Sequence, residues 1–140
     1  MAAEIDALAS QIVPSTDGPG AKEAGVIYFI DRALGTFGAD SLPSYRTGMA
    51  MVQEKRKQMF AGSASITALT NDQQIELMRA IDKTEFFELL RTHTMLGLLG
   101  NPSYGGNRDR VGWKLIGFED RMAYQPPFGY YDAHPDGDQQ

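Results

Sequence analysis

A chain of 140 residues, 42% hydrophobic and 22% charged, has the length of one domain and enough apolar content to fold as one. The complete lack of cysteine excludes a disulfide scaffold, a thiolate iron–sulfur cluster, a cysteine zinc site and a thiol nucleophile. A net charge of −5, with no basic run longer than Lys55-Arg56-Lys57, disfavours nucleic acid and anionic membrane surfaces as partners.

The first hundred residues read as helices. Ile5, Leu8, Ala9 and Ile12 share one face of a short helix that Pro14 ends. Ser15-Thr16-Asp17-Gly18-Pro19-Gly20 is a turn by composition. Val26, Ile30, Ala33 and Phe37, widened by Ile27 and Leu34, form the stripe of an amphipathic helix over about residues 21–37, closed by Gly38. A third helix opens at Ser41 with Pro43 in its first turn and runs to about Ala61. Its spacing turns Tyr45, Met49, Val52, Met59 and Phe60 inward and Glu54, Lys55, Arg56 and Lys57 to solvent.

Gly62 and the stretch from Ser63 to Ala68 break that helix. Thr70 with Gln73 forms a capping box ahead of Ile75, Met78 and Ile81 on a short fourth helix. Thr84 caps a fifth, which carries Phe86, Phe87, Leu89, Leu90, Leu96, Leu98 and Leu99. That helix is apolar nearly all round, which predicts a central, buried position. No stretch approaches the roughly 20 apolar residues of a membrane helix. The N-terminus, Met1-Ala2-Ala3-Glu4-Ile5-Asp6, has neither the basic region nor the long apolar segment of a signal peptide.

Beyond residue 100 the composition changes. Residues 101–140 hold 7 of the 14 aromatics, 4 of the 7 prolines and 6 of the 15 glycines. A segment so aromatic packs on something, either its own helices or another chain. The predicted fold class is therefore all-α. A small bundle of about five helices occupies residues 1–118, and an irregular aromatic, Gly- and Pro-rich segment follows as an extended strap over 119–140.

Catalytic constellations are scarce. His134 sits among Asp, Pro and Gly and reads as solvated, whereas His93 lies in the apolar fifth helix and reads as a hydrogen-bonded core or interface residue. Glu85 and Glu88 lack the Glu-x-x-His partner of a di-iron bundle. Asp72 with Glu76, and Glu119 with Asp120, read as solvated pairs. Tyr104-Gly105-Gly106-Asn107 lacks the lysine spacing of a phosphate loop and the three spaced glycines of a dinucleotide fingerprint. It reads as a turn whose glycines adopt positive φ while Asn107 hydrogen-bonds the backbone, or as a contact loop for another chain. Trp113 serves equally as a core plug or an interface anchor. Pro126-Pro127-Phe128-Gly129-Tyr130-Tyr131 has no polyproline repeat and fits a strap across a partner.

Several of these blocks point to one family. Pro19-Gly20-Ala21-Lys22-Glu23-Ala24-Gly25-Val26, followed by Phe29-Ile30-Asp31, resembles the opening block of the gluconate 2-dehydrogenase subunit 3 family. Phe86-Phe87-Glu88-Leu89-Leu90-Arg91-Thr92-His93-Thr94 and Gly97 add to the likeness. The most specific block is Asn101-Pro102-Ser103-Tyr104-Gly105-Gly106-Asn107-Arg108-Asp109 running into Gly112-Trp113-Lys114-Leu115-Ile116-Gly117-Phe118.

The resemblance implies a non-catalytic small subunit of a heteromeric, membrane-associated sugar or sugar-acid dehydrogenase. In that family a large subunit holds FAD and performs the oxidation, and a cytochrome c subunit carrying haem c often takes the electrons onward. The small subunit binds no cofactor or metal. It stabilises the large one and often supplies the twin-arginine signal that exports the folded pair to the periplasm. This sequence shows no twin-arginine segment, so a cytoplasmic location is the alternative to co-export. The residues assigned to the partner surface are His93, Tyr104, Gly105, Gly106, Asn107, Trp113, Phe128, Tyr130 and Tyr131, with His93 and Asn107 the polar candidates near the flavin. The competing readings are a stand-alone helical adaptor or self-associating domain, and an independent enzyme.

Overall fold

Local signals start and stop most of the helices. The computed structural model describes residues 1–126; among them are six α-helices and no strand. They are α1 (Ala2–Ile12), α2 (Val26–Gly35), α3 (Leu42–Met59), α4 (Asn71–Ile81), α5 (Glu85–Leu99) and α6 (Val111–Leu115), with short 3₁₀ turns at Ala39–Ser41, Ile66–Ala68, Pro102–Tyr104 and Arg108–Arg110. The all-α bundle and its five predicted helices are present; α6 is an additional five-residue helix within the block from Asn101 to Phe118, which reads as turn chemistry.

The apolar stripes meet as their spacing requires. Ile5, Leu8 and Ala9 of α1, Val26, Phe29 and Ile30 of α2, and Tyr45, Met49 and Val52 of α3 enter one core with Leu77 and Ile81 of α4 and Phe86 and Leu90 of α5. The Thr70–Gln73 capping box forms with both bonds made: Gln73 N donates to Thr70 Oγ1 at 3.3 Å, and Thr70 N to Gln73 Oε1 at 3.0 Å. Thr84 caps α5 by accepting from Phe87 N at 3.2 Å.

Four local expectations are corrected. First, α2 starts at Val26, because Gly25 takes a left-handed φ of 65° and the preceding residues form a turn closed by Val26 N donating to Ala21 O at 3.0 Å. Second, Phe37 leaves the stripe: α2 ends at Gly35, so Phe37 falls out of helical register and is exposed. Third, Arg56 is buried, at 5% exposure. The chain after α3 folds back over it, so Arg56 Nε donates to Gln53 Oε1 at 3.0 Å and Nη1 donates to the Ser63 carbonyl. Gln53 in turn donates to the Glu4 carboxylate, which links the guanidinium to a negative charge through one amide.

The fourth concerns α5. It packs most extensively on α2, with Phe86, Leu90, Thr94, Gly97 and Leu98 buried. Its opposite side leaves Met95 and Leu96 exposed. A bundle this small covers one side of a 15-residue helix, even when that helix is apolar all round.

Residues 119–126 run without regular structure and are exposed, with Arg121 paired to Glu119. Phe128, Tyr130, Tyr131 and His134 lie outside the described residues. No helix among the described residues is long and apolar enough to cross a membrane.

A close approach between α3 and α5 predicts a stability effect. A Cβ at Gly48 would sit 2.1 Å from a ring carbon of Phe86, itself packed edge-on to Tyr45 with 5.5 Å between ring centroids. Gly48→Val forces that ring to move and is expected to lower unfolding stability by about 1–3 kcal/mol, measured by urea denaturation. A midpoint equal to that of the parent would contradict the packing.

Candidate functional site

An α-helix ends with carbonyls that have no partner inside the helix, and a buried end must find donors elsewhere. The end of α5 finds them in the glycine- and tryptophan-containing block that follows. Gly100 N donates to Leu96 O at 2.8 Å and Asn107 N to Gly97 O at 2.7 Å. Trp113 Nε1 donates to Leu99 O at 2.7 Å, and Asn107 Nδ2 to Gly100 O at 2.9 Å. The Asn107 amide oxygen then accepts from Gly112 N at 2.9 Å, which holds the start of α6 against the end of α5. Asn107 is fully buried and Trp113 is 8% exposed.

Backbone contact explains the residue types around this cap. A Cβ at Gly106 would stand 2.1 Å from Gly97 O, and one at Gly112 would stand 1.8 Å from Leu98 O. Gly105 takes a φ of 103° and lies against the Tyr28 carbonyl. The sequence predicts positive φ at both glycines of the pair; only Gly105 adopts it, and Gly106 is required for close approach instead. Left-handed backbone passes to Asn107, Asp109 and Arg110, at φ of 45°, 53° and 57°. Asparagine tolerates that region better than most residues, whereas Asp109 and Arg110 keep it through the bonds around them.

The predicted partner-facing residues therefore divide. Gly106, Asn107 and Trp113 are inside the chain's own fold, so the core reading of Trp113 is the one realised in this chain. Gly105 and His93 are half-buried, and among the described residues of that set only Tyr104 stands out as an exposed ring. It packs edge-on to Phe37, with 5.6 Å between centroids, and Phe37 in turn meets Phe29 at 6.1 Å. Arg108 donates its backbone N–H to Ala24 O at 3.0 Å and lays its guanidinium 3.6 Å from the centre of the Tyr28 ring. Arg32 Nη1 donates to Ser103 O at 2.6 Å. Sequence reading missed Tyr28 and Arg32 in this cluster, although their i,i+4 spacing on the polar side of α2 carried the signal.

His93 is hydrogen-bonded, as its place in an apolar helix suggested. Its Nδ1 lies 3.1 Å from the hydroxyl of the fully buried Tyr45, and the two rings stack with 5.6 Å between centroids. Burial pushes the Tyr45 phenol up and holds the His93 imidazole below its ordinary value. A protonated phenol donates, so Nδ1 accepts and the imidazole proton sits on Nε2.

Among the described residues, no three His, Asp or Glu side chains gather as a metal site. An open groove of about 700 Å³ between α3 and the start of α5 is lined by Thr47, Met51, Thr84, Glu85 and Phe86 among others. Glu85 is the titratable group there.

A family model described as Gluconate 2-dehydrogenase subunit 3 matches residues 2–120. No curated protein and no solved structure matches the chain.

Two outcomes follow from the geometry. Asn107→Ala strands Gly100 O and Gly112 N in the interior and is expected to cost about 2–4 kcal/mol of stability, measured by urea denaturation; a loss within 0.5 kcal/mol, the usual range for surface substitutions, would contradict the clamp. The second concerns pH. The unfolded chain takes up a proton at His93 near its ordinary value of 6.5, above the pH at which the folded chain does. Stability from this group is present above that pH and falls as pH drops through it. His93→Gln is expected to flatten the stability slope between about pH 7 and 5; an unchanged slope in thermal melts would exclude His93 as its source.

Proposed function

The chain belongs to the gluconate 2-dehydrogenase subunit 3 family, and on that premise we propose that it is the non-catalytic small subunit of a heteromeric FAD-dependent sugar or sugar-acid dehydrogenase. The family names a subunit of an oxidoreductase complex, and the match across residues 2–120 is the observation that carries the reading. In this reading the large subunit binds FAD, which accepts the hydride equivalents of a CH–OH group, and a cytochrome c subunit with haem c relays the electrons. The small subunit has no cofactor of its own.

The geometry of the most specific block supports a structural role. Asn107 and Trp113 place their polar atoms on carbonyls of α5 and on Gly112, so these groups are engaged within the fold.

The mechanism is mass action. A subunit that binds only the folded form of its partner draws that partner away from unfolded and aggregating states, in proportion to its concentration over its dissociation constant. The pair is exported folded to the periplasm, because assembly precedes transport.

The flavin-bearing large subunit, produced alone, is expected to be insoluble or inactive, and co-production of this chain restores soluble, flavin-loaded protein. Measuring soluble flavin absorbance and dye-linked sugar oxidation checks this. Full solubility and activity of the large subunit alone would sink the proposal.

A further inference from the structure

We propose that the face formed by α2 and the Pro102–Tyr104 turn is where the large subunit docks, and that the large subunit meets it with an apolar centre and carboxylates opposite Arg32 and Arg108. This rests on the reading of the chain as one subunit of a heteromeric dehydrogenase and identifies the surface that reading requires.

Three aromatic rings stand out on this face: Tyr28 is 52% exposed, Phe37 62% and Tyr104 49%. Single exposed apolar side chains are ordinary, but aromatics gathered with arginines have the composition of interface anchors. Phe37 and Tyr104 are in ring contact, and Tyr28 is joined to the turn because Gly105 packs on its carbonyl.

The two arginines give the face its sign. Arg32 and Arg108 have no carboxylate within ion-pair distance among the described residues, whose ion pairs lie elsewhere. One guanidinium is held by the Ser103 carbonyl and the other by the Tyr28 ring, so each is fixed in place with donors left for an incoming carboxylate. In a chain of net charge −5, a fixed pair of cations beside exposed rings selects an acidic partner surface. Asp31, on the same helix, borders the groove it shares with Asp6 on the other side of Tyr28 and limits the basic area to the side of the turn.

Both arginines already make contacts within the chain, one to the Ser103 carbonyl and one to the Tyr28 ring. Docking onto a preordered face costs less side-chain entropy than docking onto mobile side chains.

The test uses the tagged full chain produced in its native host, with the co-purifying flavoprotein identified by flavin absorbance and mass spectrometry. Two variants attack the face independently: Phe37→Ser with Tyr104→Ser, and Arg32→Glu with Arg108→Glu. Each is expected to reduce recovered flavin at least about tenfold, while Met95→Ser with Leu96→Ser, on the outer side of α5, recovers as much as the parent. Thermal melts confirm that each variant is folded. Undiminished flavin with both folded face variants would overturn the docking face and leave the subunit reading intact. Absence of any flavoprotein with the parent chain would overturn the subunit reading and this occupant together. Light scattering that shows a dimer of the chain, lost in Phe37→Ser with Tyr104→Ser, would assign the face to a second copy and overturn the proposal.

Discussion

The fold depends on one buried amide. Asn107 joins the end of α5 to the start of α6 by donating to Gly100 O and accepting from Gly112 N, while its own backbone N–H donates to Gly97 O. Few side chains can do this. Aspartate accepts but cannot donate, leucine does neither, and glutamine adds a methylene at a fully buried position. The φ of 45° also favours asparagine over almost any residue but glycine. Side-chain chemistry and backbone conformation thus select the same residue for separate reasons.

The helix that follows exists because of that clamp. Five residues are far too few for an isolated helix to form in water. α6 is held by tertiary contacts: Gly112 pressed against the Leu98 carbonyl, Trp113 bonded to the Leu99 carbonyl, and Phe118 packed edge-on to Trp113 at 5.1 Å. The same arrangement satisfies carbonyls that would otherwise be stranded at the end of α5. The block caps one helix and creates another with the same bonds, and its aromatic and glycine content follows from both tasks.

Helix positions were legible in the sequence because their causes are local. The stripes of α1, α3 and α4, the Thr70–Gln73 box and the Thr84 cap all lie within a window of a few residues, where period and propensity decide. Arg56 and Phe37 were misplaced because their surroundings come from chain farther along: Ser63 folds back on Arg56, and the loss of helix at Gly35 releases Phe37. The Asn101–Phe118 block was recognisable but its orientation was not. Glycine, asparagine and tryptophan suit close backbone approach and partner contact alike, and what decides between them is the set of free carbonyls on α5. The exposed cluster of Tyr28, Arg32, Phe37, Tyr104 and Arg108 was hidden for a related reason, since it is assembled from two segments some 70 residues apart, as the Arg32–Ser103 bond shows.

Strain and recognition meet in the turn from Asn107 to Arg110. Each non-glycine residue in the left-handed region costs on the order of 1–3 kcal/mol, and three of them within four residues persist only where neighbouring bonds dictate their conformation. Those bonds are the α5 cap, the Ala24 carbonyl that accepts from Arg108 N, and the Asn107 carbonyl that accepts from Arg110 N at 2.9 Å. A relaxed turn would leave the Arg108 side chain free to sample many directions. The strained one fixes its backbone so that the guanidinium lies over Tyr28. The interior of the motif therefore sets the geometry of its exterior: the buried amide that fastens α6 also determines where a cation stands on the surface.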